Sequence, residues 1–396
     1  MATSYLESLH CWGLGIKPQN ADGTSVDYPV TAMIMARGTD FEPNIEFESD
    51  DYEGHSGTKT LVLQSDRKSV TAEPEYEHGV VFGECQEEYW YLTLGNYVRT
   101  KYGSNTDLTP EELASDTEIP VQWVFSQDLL HPKPLPRATL VNQYSMTLRD
   151  AIIFDDCMMN EYTLKADGDG VSCTPKYKSS APSMNQPNQL INVAPKLNKL
   201  GKDDIRVYII DVNEDYDSLT DEQKVNLTYD CIMNVEMTFN NNLEDSDCLN
   251  TKFGKNSADE GKFEGTGSFE LKWNPTSAFL IDEYYAGTKH GVDPTTEPCF
   301  KQIVVEMYGA KIGETQTRNM IQIKLPKVEI TNAETGLSGD ETKTINVEYS
   351  IRENGTVSPV TTTIVSPLKE LHIGSELTID KSEEGNSEVI GVDVAS

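Results

Sequence analysis

The sequence predicts a mainly β protein: two similar antiparallel β-sandwich or barrel-forming domains, each with one flanking helix. Three observations carry this expectation. Polar and apolar residues alternate over short stretches, clusters of Gly, Pro, Asn and Asp separate those stretches, and segments with helical spacing are few.

The alternation begins at 44–48, where Asn-Ile-Glu-Phe-Glu reads as a strand with one wet face. Similar stretches follow at 59–64, 121–125, 139–148, 205–212, 232–239, 267–272, 301–308, 320–330 and 343–351. A first helix is expected over 86–99, opening with acids and carrying Tyr89, Leu92 and Tyr97 on one face, although Gly95 weakens its interior. A second is expected over 275–285. Asn274 is its N-cap, Pro275 its first residue, Phe279, Leu280 and Tyr284 its apolar stripe, and Gly287 its stop. A third, short candidate lies at 218–225, with Ser218 or Thr220 as cap.

The two longer helices have similar surroundings. A glycine-led strand precedes each, and a Tyr-x-x-Thr-Lys-x-Gly segment follows, at Tyr97–Gly103 and Tyr285–Gly291. Leu135-Pro136 and Leu325-Pro326 come later in each half. This pattern predicts an internal duplication, with a first domain over 1–190, a second over 191–366 and an acidic C-terminal tail over 367–396. The Pro-, Asn-, Ser- and Lys-rich stretch 178–204 reads as a linker or surface arm, and 240–262 as a long loop.

With 37% hydrophobic residues the chain can build a core, and no apolar run approaches the roughly 20 residues that span a bilayer. The start, MATSYLESLHCWGLGIKP, shows no secretory pattern, so synthesis in a cytoplasm is expected. The seven cysteines are scattered without a CxxC pair, as reduced, mostly buried thiols would be. The formal charge of −33 disfavours an ordinary nucleic-acid binder. An acidic surface serves solubility, or a wall past which DNA moves without sticking; composition does not choose between them.

Motifs for chemistry are scarce. G-x-S-x-G, the Walker loop and G-x-G-x-x-G are absent, and the six histidines form no metal-ligating pair, so neither an enzyme nor a cofactor or metal site is expected. Asp211, Asn213, Asp215, Asp217 and Glu222 match the oxygen spacing of a calcium loop. Tyr216 replaces the required glycine, however, and an acidic loop after a strand is the better reading. Asp167-Gly-Asp169-Gly170 reads as a hairpin turn.

Several segments, taken in order, resemble the major tail tube proteins of long-tailed bacteriophages. They are Trp12–Ile16, Val30–Ile34, Phe41–Pro43, Ile45–Ser49, Gly54–Thr58, Leu135–Leu140, Gly265–Leu271, Leu325–Ile330 and Ile345–Tyr349. The resemblance spans most of 10–366 through short motifs, and 178–204, 240–262 and the end of the chain depart from it. It implies sandwiches whose inner strands close a barrel around a channel, in rings of pseudo-sixfold symmetry. A duplicated chain would then form a trimeric ring, and rings would stack into a tube in the virion tail. Tape measure, terminator and baseplate proteins would be the partners, and DNA would pass without sticking. Glu46 and Glu48, on one face of a strand, with Asp50 and Asp51 at its end, are the candidate lumen-facing acids, and the tube exterior remains open for that face. Another β-sandwich virion component (baseplate, terminator or head decoration) and a surface adhesin are the alternatives.

Overall fold

The computed structural model describes residues 11–378 except 32–33, 37–39, 54–61, 80, 83–85, 105, 131–132, 144–150, 180–181, 188–197, 201–204, 221, 225–231, 248–254, 290, 337–342 and 356. Antiparallel ladders dominate it, as the alternation predicts.

One sheet is built on β1 (Cys11–Ile16), which lies between β2 (Ile34–Ala36) and β10 (Ala138–Gln143). β10 in turn pairs with the first half of β11 (Ala151–Asp167), whose other edge takes β13 (Ser183–Gln186). β11 then bends at Asp155-Asp156, where Asp156 adopts φ +53. Its second half enters a larger sheet between β12 (Gly170–Lys178) and β16 (Ile232–Asn240). The sheet continues past β12 to β6 (Glu75–Gly79) and β3 (Asp40–Glu42). In the other direction β16 leads to β19 (Glu264–Lys272), β22 (Thr344–Ile351) and β21 (Arg318–Gly336).

β21 is the second strand shared between layers. Val328–Gly336 pairs with β22, whereas Met320–Lys324 pairs with β23 (Thr361–Ser366), and the switch falls beside Pro326, which has no N–H to give a ladder. β23 continues to β9 (Val121–Ser126) and β8 (Asn96–Lys101). On the other side of β21 lie β20 (Phe300–Lys311) and β15 (Ile205–Asp211). Three pairs form separate small sheets: β4 (Ile45–Glu53) with β5 (Val62–Ala72), β7 (Val81–Phe82) with β14 (Asn198–Lys199), and β17 (Glu244–Asp247) with β18 (Lys255–Asp259). The stretches read as linker and long loop are therefore partly strand: β13 and β14 lie in 178–204, and the β17–β18 hairpin lies in 240–262.

Helix α1 (Gln86–Leu94) packs against β9 and β11 with all nine residues buried. Trp90 meets the Tyr162 and Phe239 rings edge-on, with centroids 5.1 and 5.2 Å away. The helix is shorter than expected because Gly95 turns left-handed at φ +80, so Tyr97 belongs to β8. Helix α2 (Pro110–Ala114) carries a capping box between Thr109 and Glu112. Helix α3 (Pro275–Ala286) follows its local signals closely: Asn274 caps Ser277 N, and Gly287 closes the end at φ +74. In the region of the third candidate, Tyr216–Ser218 forms one 3₁₀ turn, and Thr220 and Gln223 cap each other reciprocally.

The two Tyr-x-x-Thr-Lys-x-Gly segments differ in local structure. The first starts two residues after its helix-ending glycine and forms β8, whereas the second starts inside α3, before Gly287. Ladders also cross residue 190: β11 pairs with β16, and β9 with β23. One apolar cluster contains Trp90, Trp123 and Phe154 together with Phe239, Ile323 and Val347.

Candidate lining and assembly surfaces

Across β11, β16, β19, β22 and the second half of β21, the side turned away from that cluster is predominantly polar among the described residues, with Met233 exposed on β16. Where the ladder passes on to β20 and β15, that side instead carries a second apolar cluster of Tyr208, Ile210 and Val304. On β16, Glu236 lies between buried Val235 and Met237; on β19, Glu270 lies between Phe269 and Leu271; on β22, Glu348 lies between Val347 and Tyr349. Strand periodicity sends each of these glutamates outward. The register then aligns them in rows, one running Lys165, Glu236, Ser268, Glu348, Asn332 and the next Asn234, Glu270, Asn346, Glu334. A third row is mostly hydroxyls, with Thr163 and Thr238 bonded at 3.1 Å and Thr266 and Ser350 beyond them. Asn234 donates to Glu270 at 3.0 Å, and Lys176 pairs with Glu161 at 3.0 Å. On the core side of the same ladder, Gly267 admits no side chain, because a Cβ would come within 2.3 Å of the Tyr349 hydroxyl.

Glu46 is exposed on β4, in the separate β4–β5 sheet. Glu48, Asp50 and Asp51 lie on the same strand opposite Ser69, Asp66 and Ser65, and their side chains fall outside the described residues. These four acids share a hairpin, and among the described residues no hydrogen-bonded ladder joins it to the polar rows. Sequence reading missed the sheet-face glutamates, although an Apolar-Glu-Apolar triplet at each of Val235–Met237, Phe269–Leu271 and Val347–Tyr349 carried the signal.

β8 pairs with β9 alone among the described strands, and its Tyr97 and Val98 are 37% and 57% exposed. At its C-terminal end Lys101 N donates to Thr106 O at 2.8 Å. An edge of this kind can accept another strand.

Two buried carboxylate sites brace the layers. Glu306 on β20 accepts from Tyr216 at 2.7 Å, Tyr308 at 2.8 Å, Gln322 at 2.8 Å and Tyr208 at 3.3 Å. Burial favours its neutral form, but these four donors outweigh burial and hold the carboxyl below its ordinary range. At the start of α1, Ser366 donates to Glu87, and His372 Nδ1 lies 2.6 Å from Glu88. Burial first, and then the Glu88 charge, push Glu87 up to about 7. His372 is raised as well: burial opposes its protonation, and the Glu88 bond with the Glu88 and Glu87 charges overcomes it.

The acids of the calcium-loop spacing disperse to other roles. Asp211 pairs with Lys301 at 2.6 Å, Asp215 caps the 3₁₀ turn, and Asp217 pairs with Lys324. Among the described residues no group of three His, Cys, Asp or Glu is placed to hold a metal ion. Asp167 and Gly170 close the β11–β12 hairpin, as the turn reading requires. Among the described residues no helix is long and apolar enough to cross a membrane. No protein-family model matches the chain, and no curated protein matches it.

Proposed function

We propose that the protein is a structural subunit of a phage tail: a tail tube protein whose trimeric, pseudo-sixfold rings stack into a hollow tube that conducts DNA. The observation that carries this reading is the polar, glutamate-rich sheet face, five strands wide in its best-registered row, on a chain of charge −33. Such a surface repels phosphates and offers no apolar foothold, which suits a channel that must not retain DNA. The lining then comes from Glu236, Glu270 and Glu348, and the β4 acids Glu46, Glu48, Asp50 and Asp51 extend it or face outward. The exposed β8 edge supplies a strand for ring closure, and the ordered motifs shared with tail tube proteins point the same way. The proposed partners are further copies of the chain and the tape measure, terminator and baseplate proteins. The subunit works without catalysis, cofactor or metal, in the virion tail.

Electron microscopy of the purified protein tests this directly. Rings or tubes with a regular repeat, and three chains per ring by native mass spectrometry, are expected. A chain that stays monomeric at high concentration overturns the reading.

A further inference from the structure

Lys17, immediately after β1, is 1% exposed. Its Nζ lies 2.5 Å from Asp156 Oδ1 and 2.8 Å from Asp155 Oδ1, both on the bend of β11. The left-handed backbone of Asp156 is uncommon for a residue with a side chain, and the bend brings two successive carboxyls to one amine. Arg137 Nη1 stands 3.5 Å from the other Asp156 oxygen, Oδ2, and Thr139 Oγ1 donates to Asp155 at 3.2 Å. An amine and two carboxyls with little water around them make a costly ion cluster. They are also the groups needed to join amine and carboxyl by an amide.

We infer that Lys17 and Asp156 form an intramolecular isopeptide bond, with Asp155 relaying the protons. The Lys17 Nζ lone pair attacks Asp156 Cγ after Asp155 takes a proton from the ammonium. Negative charge then develops on the oxygen beside Arg137, which stabilises it. Asp155 passes protons to the departing oxygen, the C–O bond breaks and one water leaves. The ammonium's three hydrogens are thus divided between the amide N–H and that water, so no oxidant or co-reactant is needed. The bond ties the end of β1 to the strand that links two sheets, across 139 positions of chain. Lys301 makes a similar set, 2.6 Å from Asp211 and 2.6 Å from a Glu283 side chain that is as buried as Asp156. The second carboxyl there, Asp211, which would have to relay the protons, is however 58% exposed, and water competes.

The test is the intact mass of the full-length protein, denatured and reduced after incubation at neutral pH. The expected mass is one water below that of the sequence, with a proteolytic fragment joining the residue-17 and residue-156 segments. Lys17→Arg should return to full mass, and Asp155→Asn should slow or abolish the loss. Asp156→Asn should lose ammonia in place of water. Full mass in the unaltered protein overturns the inference whether or not the variants fold, and so does a loss that maps to Lys301 with Asp211 or Glu283. The inference is independent of the tube reading, because a full-mass chain that forms tubes, or a cross-linked chain that stays monomeric, separates them.

Discussion

Glu306 and Glu87 are both buried carboxylates in this strongly acidic chain, yet they titrate in opposite senses. Glu306 sits among four neutral donors on β15, β20, β21 and the Tyr216 turn, so its charge is solvated by the protein. Glu87 is packed beside a second carboxyl and accepts a side-chain hydrogen bond from Ser366. Burial is common to both; the number of aimed donors and the sign of the nearest charge decide the outcome. The first site is a fixed brace, and the second is a latch that depends on proton occupancy.

Replacing Glu306 should have the largest effect. Glu306→Leu leaves three tyrosine hydroxyls and the Gln322 amide without their common acceptor, and a loss on the order of 3 kcal/mol is expected in chemical denaturation. A change well under 1 kcal/mol would show that water substitutes for the carboxylate, and the contrast with Glu87 would collapse. Because its folded-state pKa is depressed, the Glu306 contribution is present above the ordinary carboxylate range and is lost as pH falls through the folded value.

The latch should respond to the opposite limb. His372 is raised, so its pairing with Glu88 contributes below pH about 6.5 and is lost as pH rises through its folded value. His372→Ala should therefore cost about 1–2 kcal/mol near pH 6 and less near pH 9. Equal costs at both values would mean that His372 acts by packing alone.

The smallest effect should come from Glu87→Gln. A raised carboxyl makes the fold lose stability as pH climbs from the ordinary carboxylate value to about 7. Glutamine keeps an acceptor for Ser366 and carries no charge. The variant should match the parent in melting temperature near pH 5 and exceed it near pH 8. A lower melting temperature at pH 8 would show that the charged form is favoured there, and that Glu87 resembles Glu306 after all.

How far the sequence was legible follows from the range of each signal. Helix α3 was readable because Asn274, Pro275 and Gly287 act within one turn of where they stand. β16, β19 and β22 were readable because one face meets the core and the other meets water. The first half of β11 was not: Ala151–Phe154 is buried at four consecutive positions, which erases the alternation. Helix α1 was misjudged at its end, since Tyr97 lies at a spacing that fits a helix face while Gly95 had already turned the chain. Its opening acids read as charges favourable to the helix dipole, yet Glu87 and Glu88 also meet partners 279 and 284 positions away.

The same division applies to the candidate lining. The sequence by itself determined a mainly β chain, its better caps and turns, and an excess of acid, because these depend on composition and on neighbours a few residues apart. Only the tertiary structure decided which acids share a surface. Glu236, Glu270 and Glu348 become neighbours through ladders among three strands more than 100 residues apart in total span, whereas Glu46, Glu48, Asp50 and Asp51 stay on one hairpin. Register between distant strands is set by packing against a common core, and no local pattern encodes it.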